Sequence, residues 1–324
     1  MKSSSQDIAG EQEPASIVQI SGWSNRTSVR RVLLPVAGTF LVFYLLFHRI
    51  DLIQVLNLLT GVAWPIWIIS ASITLSFPLF SAVRWKAILS TMDQEIPFVR
   101  ALLIIVGIWP ISSVSPSKSG DLLKAYSLRR DMKPVVVIGS VLIERAFDLL
   151  VLSTLAMVGG IYFQEYRITI VAIMVLIALI TCILLVRLNI SLPIGRKFQS
   201  QLRDLNISLN SLWHKPRVTL LILFFTMVNW FASVLQTQIL FRGVGVEVSL
   251  GFTAAALPIA ILAGLFPISI GGMGTRDTAI VILFAAQASA SQALAVGLLY
   301  SFFGYWMLAI LGLPLMRRAL GAGR

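Results

Sequence analysis

Sulfur and imidazole are nearly absent from this chain of 324 residues, which holds one cysteine, Cys182, and two histidines, His48 and His214. No disulfide can close within it, and no Cys/His zinc or iron–sulfur site can be assembled. Charge is scarce too: Asp, Glu, Lys and Arg make up 12% of the residues, where about 25% is usual in a soluble domain. Acids are the scarcer sign, 14 against 26 Lys and Arg, for a net charge of +12. They are scattered rather than clustered, and no Ser/His/Asp or Cys/His arrangement can be drawn. Neither catalytic residues, nor a metal, nor a cofactor is therefore expected.

What fills the chain instead is apolar. Hydrophobic residues reach 57% and the mean hydropathy is +0.87. A soluble domain of this size could not hide that much apolar surface. The sequence is that of an integral membrane protein. Its basic residues stand at the ends of apolar runs, which points to membrane topology and contact with anionic lipid rather than to nucleic acid.

Residues 1–28 are polar, without periodicity, and read as a disordered cytoplasmic tail. Apolar stretches at 32–47, 61–82, 135–163, 168–186, 218–241 and the end of 278–316 give six transmembrane helices, and 51–60 has the spacing of an amphipathic interfacial helix. Arg84 and Lys86 mark a basic edge after the second span. The uncharged run 101–117 is broken by Pro110 and Pro116 and is flanked by basic residues on both sides. By the positive-inside rule both of its ends face the cytoplasm, so it enters and leaves on one side as a re-entrant hairpin. The run 248–275, broken by Pro258, Pro267 and the glycines of 271–274, forms a second hairpin opening outward. Both termini are then cytoplasmic.

The string Trp109-Pro110-Ile111-Ser112 returns as Phe266-Pro267-Ile268-Ser269, each followed by a Gly/Ser-rich stretch and an Asp. The halves 32–163 and 168–316 would each hold three spans and a hairpin. Three is odd, so the second half sits upside down relative to the first, a recurring plan of secondary transporters. The fold expected is an all-α integral membrane protein in one domain over 29–318, with a short tail at 319–324.

The first tip offers Ser115, Ser117, Lys118, Asp121 and Lys124, hydroxyls and cations suited to a lipid phosphate. The competing reading is a plain loop whose Ser or Asp caps the helix that follows. At the second tip Gly271, Gly272 and Gly274 allow close backbone approach, and Arg276, beside Asp277, offers a bidentate phosphate fork. Glu144, Arg145 and Asp148 lie inside a span, where ionisable groups face the protein interior. Glu144 and Asp148 share a helical face, and Arg145 can reach Asp148 or a hairpin group. A static ion-pair network and a role in proton coupling or headgroup contact both fit.

Three motifs carry a family resemblance: Pro116-x-x-x-Gly120-Asp121-x-x-Lys124, Glu144-Arg145-x-x-Asp148, and Gly271-Gly272-x-Gly274-x-Arg276-Asp277. Together they resemble the lysylphosphatidylglycerol synthase transmembrane region, or flippase-like, family, with Asp121 and Asp277 where that family commonly has Glu and Lys124 where it has Arg. The resemblance implies a cell-membrane transporter or flippase for a phospholipid or a polyprenyl-linked glycolipid. Six residues follow Arg318, so no soluble synthase domain and no aminoacyl transfer are expected. Membrane lipids are the expected partners, anionic phospholipid or polyprenyl-linked lipid. The alternatives are an accessory subunit of a separate lipid-modifying enzyme, or an enzyme of lipid or glycolipid modification.

Overall fold

Residues 25–116, 118–188, 206, 209–266 and 268–321 are described in the structure, a computed structural model. The chain begins with α1 (Asn25–Arg49) and α2 (Leu52–Thr60), the latter capped by Asp51, whose carboxylate accepts from the backbone N–H of Ile53 and Gln54 at 2.9 and 3.3 Å. The long α3 (Trp64–Thr91) follows, then α4 (Phe98–Val114), a 3-10 turn at Ser119–Leu122 and the short α5 (Leu123–Ser127). Next come α6 (Pro134–Tyr162), α7 (Tyr166–Arg187), α8 (Pro216–Gly243), α9 (Leu250–Gly264), α10 (Thr275–Leu283) and α11 (Ala290–Ser301). A π-helical turn at Phe302–Met307 joins α11 to α12 (Leu308–Gly321). Proline at the first turn opens α3, α6 and α8, where the missing N–H costs no hydrogen bond.

The expected tail overlaps this fold: 1–24 lie outside the described residues, but 25–28 belong to α1, since Asn25–Arg31 contains neither glycine nor proline to delay the helix. Ser117, 189–205 of the basic loop and 322–324 also lie outside them, and the expected C-terminal tail is otherwise the last turn of α12.

Among the described residues, four helices are long and apolar enough to cross a membrane: α3, α7, α8 and the continuous stretch Ala290–Gly321. Their outer faces carry exposed side chains such as Ile170, Ile177, Leu220, Phe224 and Ile310. A soluble protein would not present apolar surface on that scale to water. The multi-pass membrane reading holds.

Three packings position the site. α3 lies along α8, pinned where the Gln236 amide donates to the Ser70 carbonyl at 2.8 Å and to Thr74 Oγ1 at 2.7 Å. α4 lies along α12 and α9 along α6. Both of these contacts run through small residues. A Cβ at Gly312 would stand 2.2 Å from the Val106 carbonyl oxygen, and one at Gly159 would stand 2.3 Å from Ala255 Cβ. Backbones this close are the usual solution within a bilayer, where packing replaces the hydrophobic drive between helices.

The two hairpin tips meet. Pro116 and Ile270 form an antiparallel bridge, the only β-type pairing among the described residues. α1 buttresses the second tip, with the Ile270 N–H donating to Thr39 Oγ1 at 2.8 Å. The tetrapeptide repeat, however, does not mark equivalent positions. Trp109–Ser112 lies within α4, whereas Phe266, Ile268 and Ser269 lie past the end of α9. Proline does not end a helix whose freed carbonyl is packed by protein, and Pro110 is buried against α12.

Candidate functional site

Behind the bridged tips lies a cavity of about 280 Å³, walled by α3, α4, α6 and α8, by both tips and by the π-helical turn. Glu144 and Asp148 reach it from one face of α6, four residues apart. Arg84 enters from α3 and divides its guanidinium between them: Nη2 to Glu144 Oε1 at 2.6 Å and Nη1 to Asp148 Oδ1 at 2.6 Å. The second Glu144 oxygen accepts from Lys124 Nζ at 2.7 Å. Asp148 also accepts from Trp230 Nε1 on α8 at 3.0 Å. Arg145 ties the network to the first tip, pairing with Asp121 and, at 3.3 Å, with Asp148 Oδ2. Asp121 further accepts from Ser112 Oγ at 2.5 Å.

The burial of these groups makes the pairing obligatory. Arg84, Lys124, Glu144 and Asp148 are each at most 4% exposed. Taking a charge out of water costs several kcal/mol unless opposite charges and hydrogen bonds offset it. Each carboxylate has two or more such partners, so the three acids facing the cavity are neutralised by the protein itself.

Lys118 differs. It sits at the first tip in the left-handed region, φ 54°, uncommon for a residue with a side chain. Its ammonium lies 4.6 Å from the Tyr305 ring and 5.6 Å from the Trp109 ring. No carboxylate among the described residues pairs with it. The cavity lining therefore holds four cations, Arg84, Lys118, Lys124 and Arg145, against three acids, with the unpaired charge on Lys118.

Of the sequence-predicted residues, Lys118, Asp121, Lys124, Glu144, Arg145, Asp148 and Gly271 come together around the cavity. Ser115 does not: its hydroxyl donates to the Ile111 carbonyl at 2.6 Å and finishes α4. Ser117 lies outside the described residues. Gly272 and Gly274 stay off the cavity wall, Gly272 pressed on Gly264 and the Gly274 N–H donating to Asp277 Oδ2 at 2.9 Å. Asp277 thus caps α10. Arg276 is held inside the protein and is not part of the cavity wall. It is 1% exposed, donates to Ser301 Oγ at 2.5 Å and Asp277 Oδ1 at 3.4 Å, and lies against the rings of Tyr300 and Tyr305. Two rings cover the guanidinium, whose Nε and Nη1 have no hydrogen-bond partner among the described residues.

Arg84 is the residue that sequence reasoning misplaced. Read as a basic edge, it instead sits buried two turns before the end of α3, at the centre of the charge network. The signal was present in the apolar residues Ala87–Leu89 that carry the helix past it. Trp230, Ser233, Asn229 and Tyr305, which complete the wall, carry no motif that separates them from ordinary packing residues.

Fold and site together define a multi-pass, all-helical membrane protein in which two hairpin tips close over a charged cavity. The chain belongs to the lysylphosphatidylglycerol synthase TM region family, whose pattern it matches over residues 32–312. It is also similar to a UPF0104 membrane protein of Methanocaldococcus jannaschii, 26% identical over 215 residues that cover 62% of this chain and 91% of that protein.

Proposed function

We propose that this protein is a cell-membrane transporter, a flippase that moves a phospholipid or a lipid-linked glycan across the bilayer and is not itself an enzyme. The observation that carries the reading is the cavity between the two tips, with its excess of positive charge. A lipid phosphate needs an anion site sheltered from the hydrocarbon, and this cavity combines charged groups with apolar walls. Its acids are paired with cations and so make poor general bases, which favours binding over chemistry.

The packing supports two inverted halves of three spans each. The first limb of each hairpin lies on the closing helix of the other half, α4 on α12 and α9 on α6, while α3 and α8 pair with each other. Exchanging the halves exchanges those contacts. In this reading 29–318 form one domain, both hairpins are re-entrant, and both termini are cytoplasmic. The tips part in turn toward either side, so that a headgroup crosses between them while the acyl chains stay in lipid.

Reconstitution tests the proposal. The purified protein is placed in vesicles carrying a trace of fluorescent phospholipid in both leaflets, and a membrane-impermeant reductant is added outside. Translocation brings the inner-leaflet probe within reach, so nearly all fluorescence should be lost. Bleaching that stops at the outer leaflet, as in protein-free vesicles, would reject the flippase.

A further inference from the structure

We infer that the cavity selects lipids whose headgroup is a phosphodiester without an ammonium group, and that Lys118 is the residue that makes the selection. The inference rests on the reading of the cavity as a headgroup site and names the chemistry that the site accepts.

The charge arrangement carries it. Glu144 is held between Arg84 and Lys124, Asp148 between Arg84, Arg145 and Trp230, and Asp121 between Arg145 and Ser112. A zwitterionic or cationic headgroup brings an ammonium that needs a free carboxylate or an open aromatic face. The carboxylates are all taken, and the two faces nearest the tips, Trp109 and Tyr305, already hold the Lys118 ammonium. What the cavity lacks is one negative charge. A singly charged phosphodiester supplies it, drawing Lys118 off the Tyr305 ring into a charge-assisted contact, while an ammonium on the same headgroup would restore the excess and meet repulsion. The volume of about 280 Å³ lies at the small end of ligand pockets, which fits a headgroup and not a whole lipid. The polar partner of Lys118 is the Tyr305 hydroxyl, a neutral group that a phosphate outcompetes, and no carboxylate among the described residues pairs with it. Its left-handed backbone is the kind of local strain that clusters at ligand sites.

The test measures binding in detergent, by native mass spectrometry, of lipids with identical acyl chains: phosphatidylglycerol, phosphatidylethanolamine, phosphatidylcholine and the lysine ester of phosphatidylglycerol. Phosphatidylglycerol should bind about tenfold or more tightly than the three ammonium-bearing lipids, the size of one charge-assisted contact. Lys118→Ala should bring all four within about threefold of one another, and Lys118→Arg should keep the preference. Water-soluble glycerophosphoglycerol should compete about a hundredfold less well than the lipid, because it lacks chains to bury. Equal competition would identify a soluble phosphate ester as the occupant and overturn the lipid assignment.

Equal binding of the four lipids by the unaltered protein would overturn the selection, and that comparison stands whether or not the variants fold. A preference that survives Lys118→Ala would overturn the role of Lys118. Translocation without headgroup preference would sink this inference and leave the transporter standing. Preference without translocation would do the reverse.

Discussion

Replacing Arg84 by Ala should remove most of the folded protein from the membrane. One guanidinium serves two carboxylates, and its loss leaves buried Asp148 with only the longer Arg145 contact and Trp230, and buried Glu144 with Lys124 alone. Breaking a buried pair from one side costs about 3–5 kcal/mol, a large share of the roughly 5–15 kcal/mol that holds a typical protein folded. Arg84→Lys should recover only part of the loss, because a point charge cannot divide itself between Glu144 and Asp148 as the planar fork does. Arg84→Met combined with Asp148→Asn should recover more, since Glu144 then keeps Lys124 and Arg145 keeps Asp121, and no member of the network is left without its opposite charge. Arg145→Ala should be milder. Asp148 would keep Arg84 and Trp230, and Asp121 would keep Ser112. Membrane abundance and the melting midpoint in detergent, ranked across the four variants, check the order; equal losses for Arg84→Ala and Arg145→Ala would contradict it.

Gly271→Val should damage the meeting of the tips more than any other single glycine change there. Two penalties coincide. The backbone at Gly271 is left-handed, φ 58°, which costs a residue with a Cβ about 1–2 kcal/mol. A Cβ there would also stand 2.4 Å from the Ser113 carbonyl oxygen, a backbone atom in the last turn of α4 that cannot rotate away. Overpacking of this kind adds about 1–3 kcal/mol. Gly245 separates the two terms: its φ is 76°, but nothing lies within 4 Å of the added Cβ. Gly245→Ala should therefore lower the melting midpoint slightly, and Gly271→Val severely and with loss of lipid binding. Similar shifts for the two would mean that the tips do not need close contact.

The helices were legible because length and hydropathy write them directly. The apolar runs at 61–82, 168–186 and 218–241 correspond to α3, α7 and α8, and the helix after Asp51 is α2. The breaks after α4 and α9 were legible in part from Pro116 and the glycines of 271–274, whereas Pro110 and Pro258, read as breaks too, lie inside those helices. Which tip residues face the cavity was not legible. Lys118 and Arg276 are both cations beside glycine-bearing turns, yet one lines the cavity and the other lies against two tyrosines contributed by α11 and the π-helical turn. That difference depends on long-range packing, which local pattern does not encode. Arg84 shows the same limit from the other side. The positive-inside rule reads a basic residue as an edge, and only the partners on α6 reveal it as an interior group. Arg145 was legible in kind, because a span carrying three ionisable residues must pair them.

Locking the tips together tests the account most directly. Pro116 and Ile270 are partners in an antiparallel bridge. Residues paired in this way have Cα atoms about 4.5–5.5 Å apart, inside the span of about 4.4–6.8 Å that a disulfide accepts. Cysteines at both positions, in a chain whose exposed Cys182 is replaced by Ser, should cross-link on mild oxidation. Lipid translocation in vesicles is then followed before oxidation, after it, and after reduction. If a headgroup crosses between parting tips, translocation falls to the protein-free level when the link forms and returns when it is reduced. Translocation that continues unchanged through a fully cross-linked sample would contradict the account.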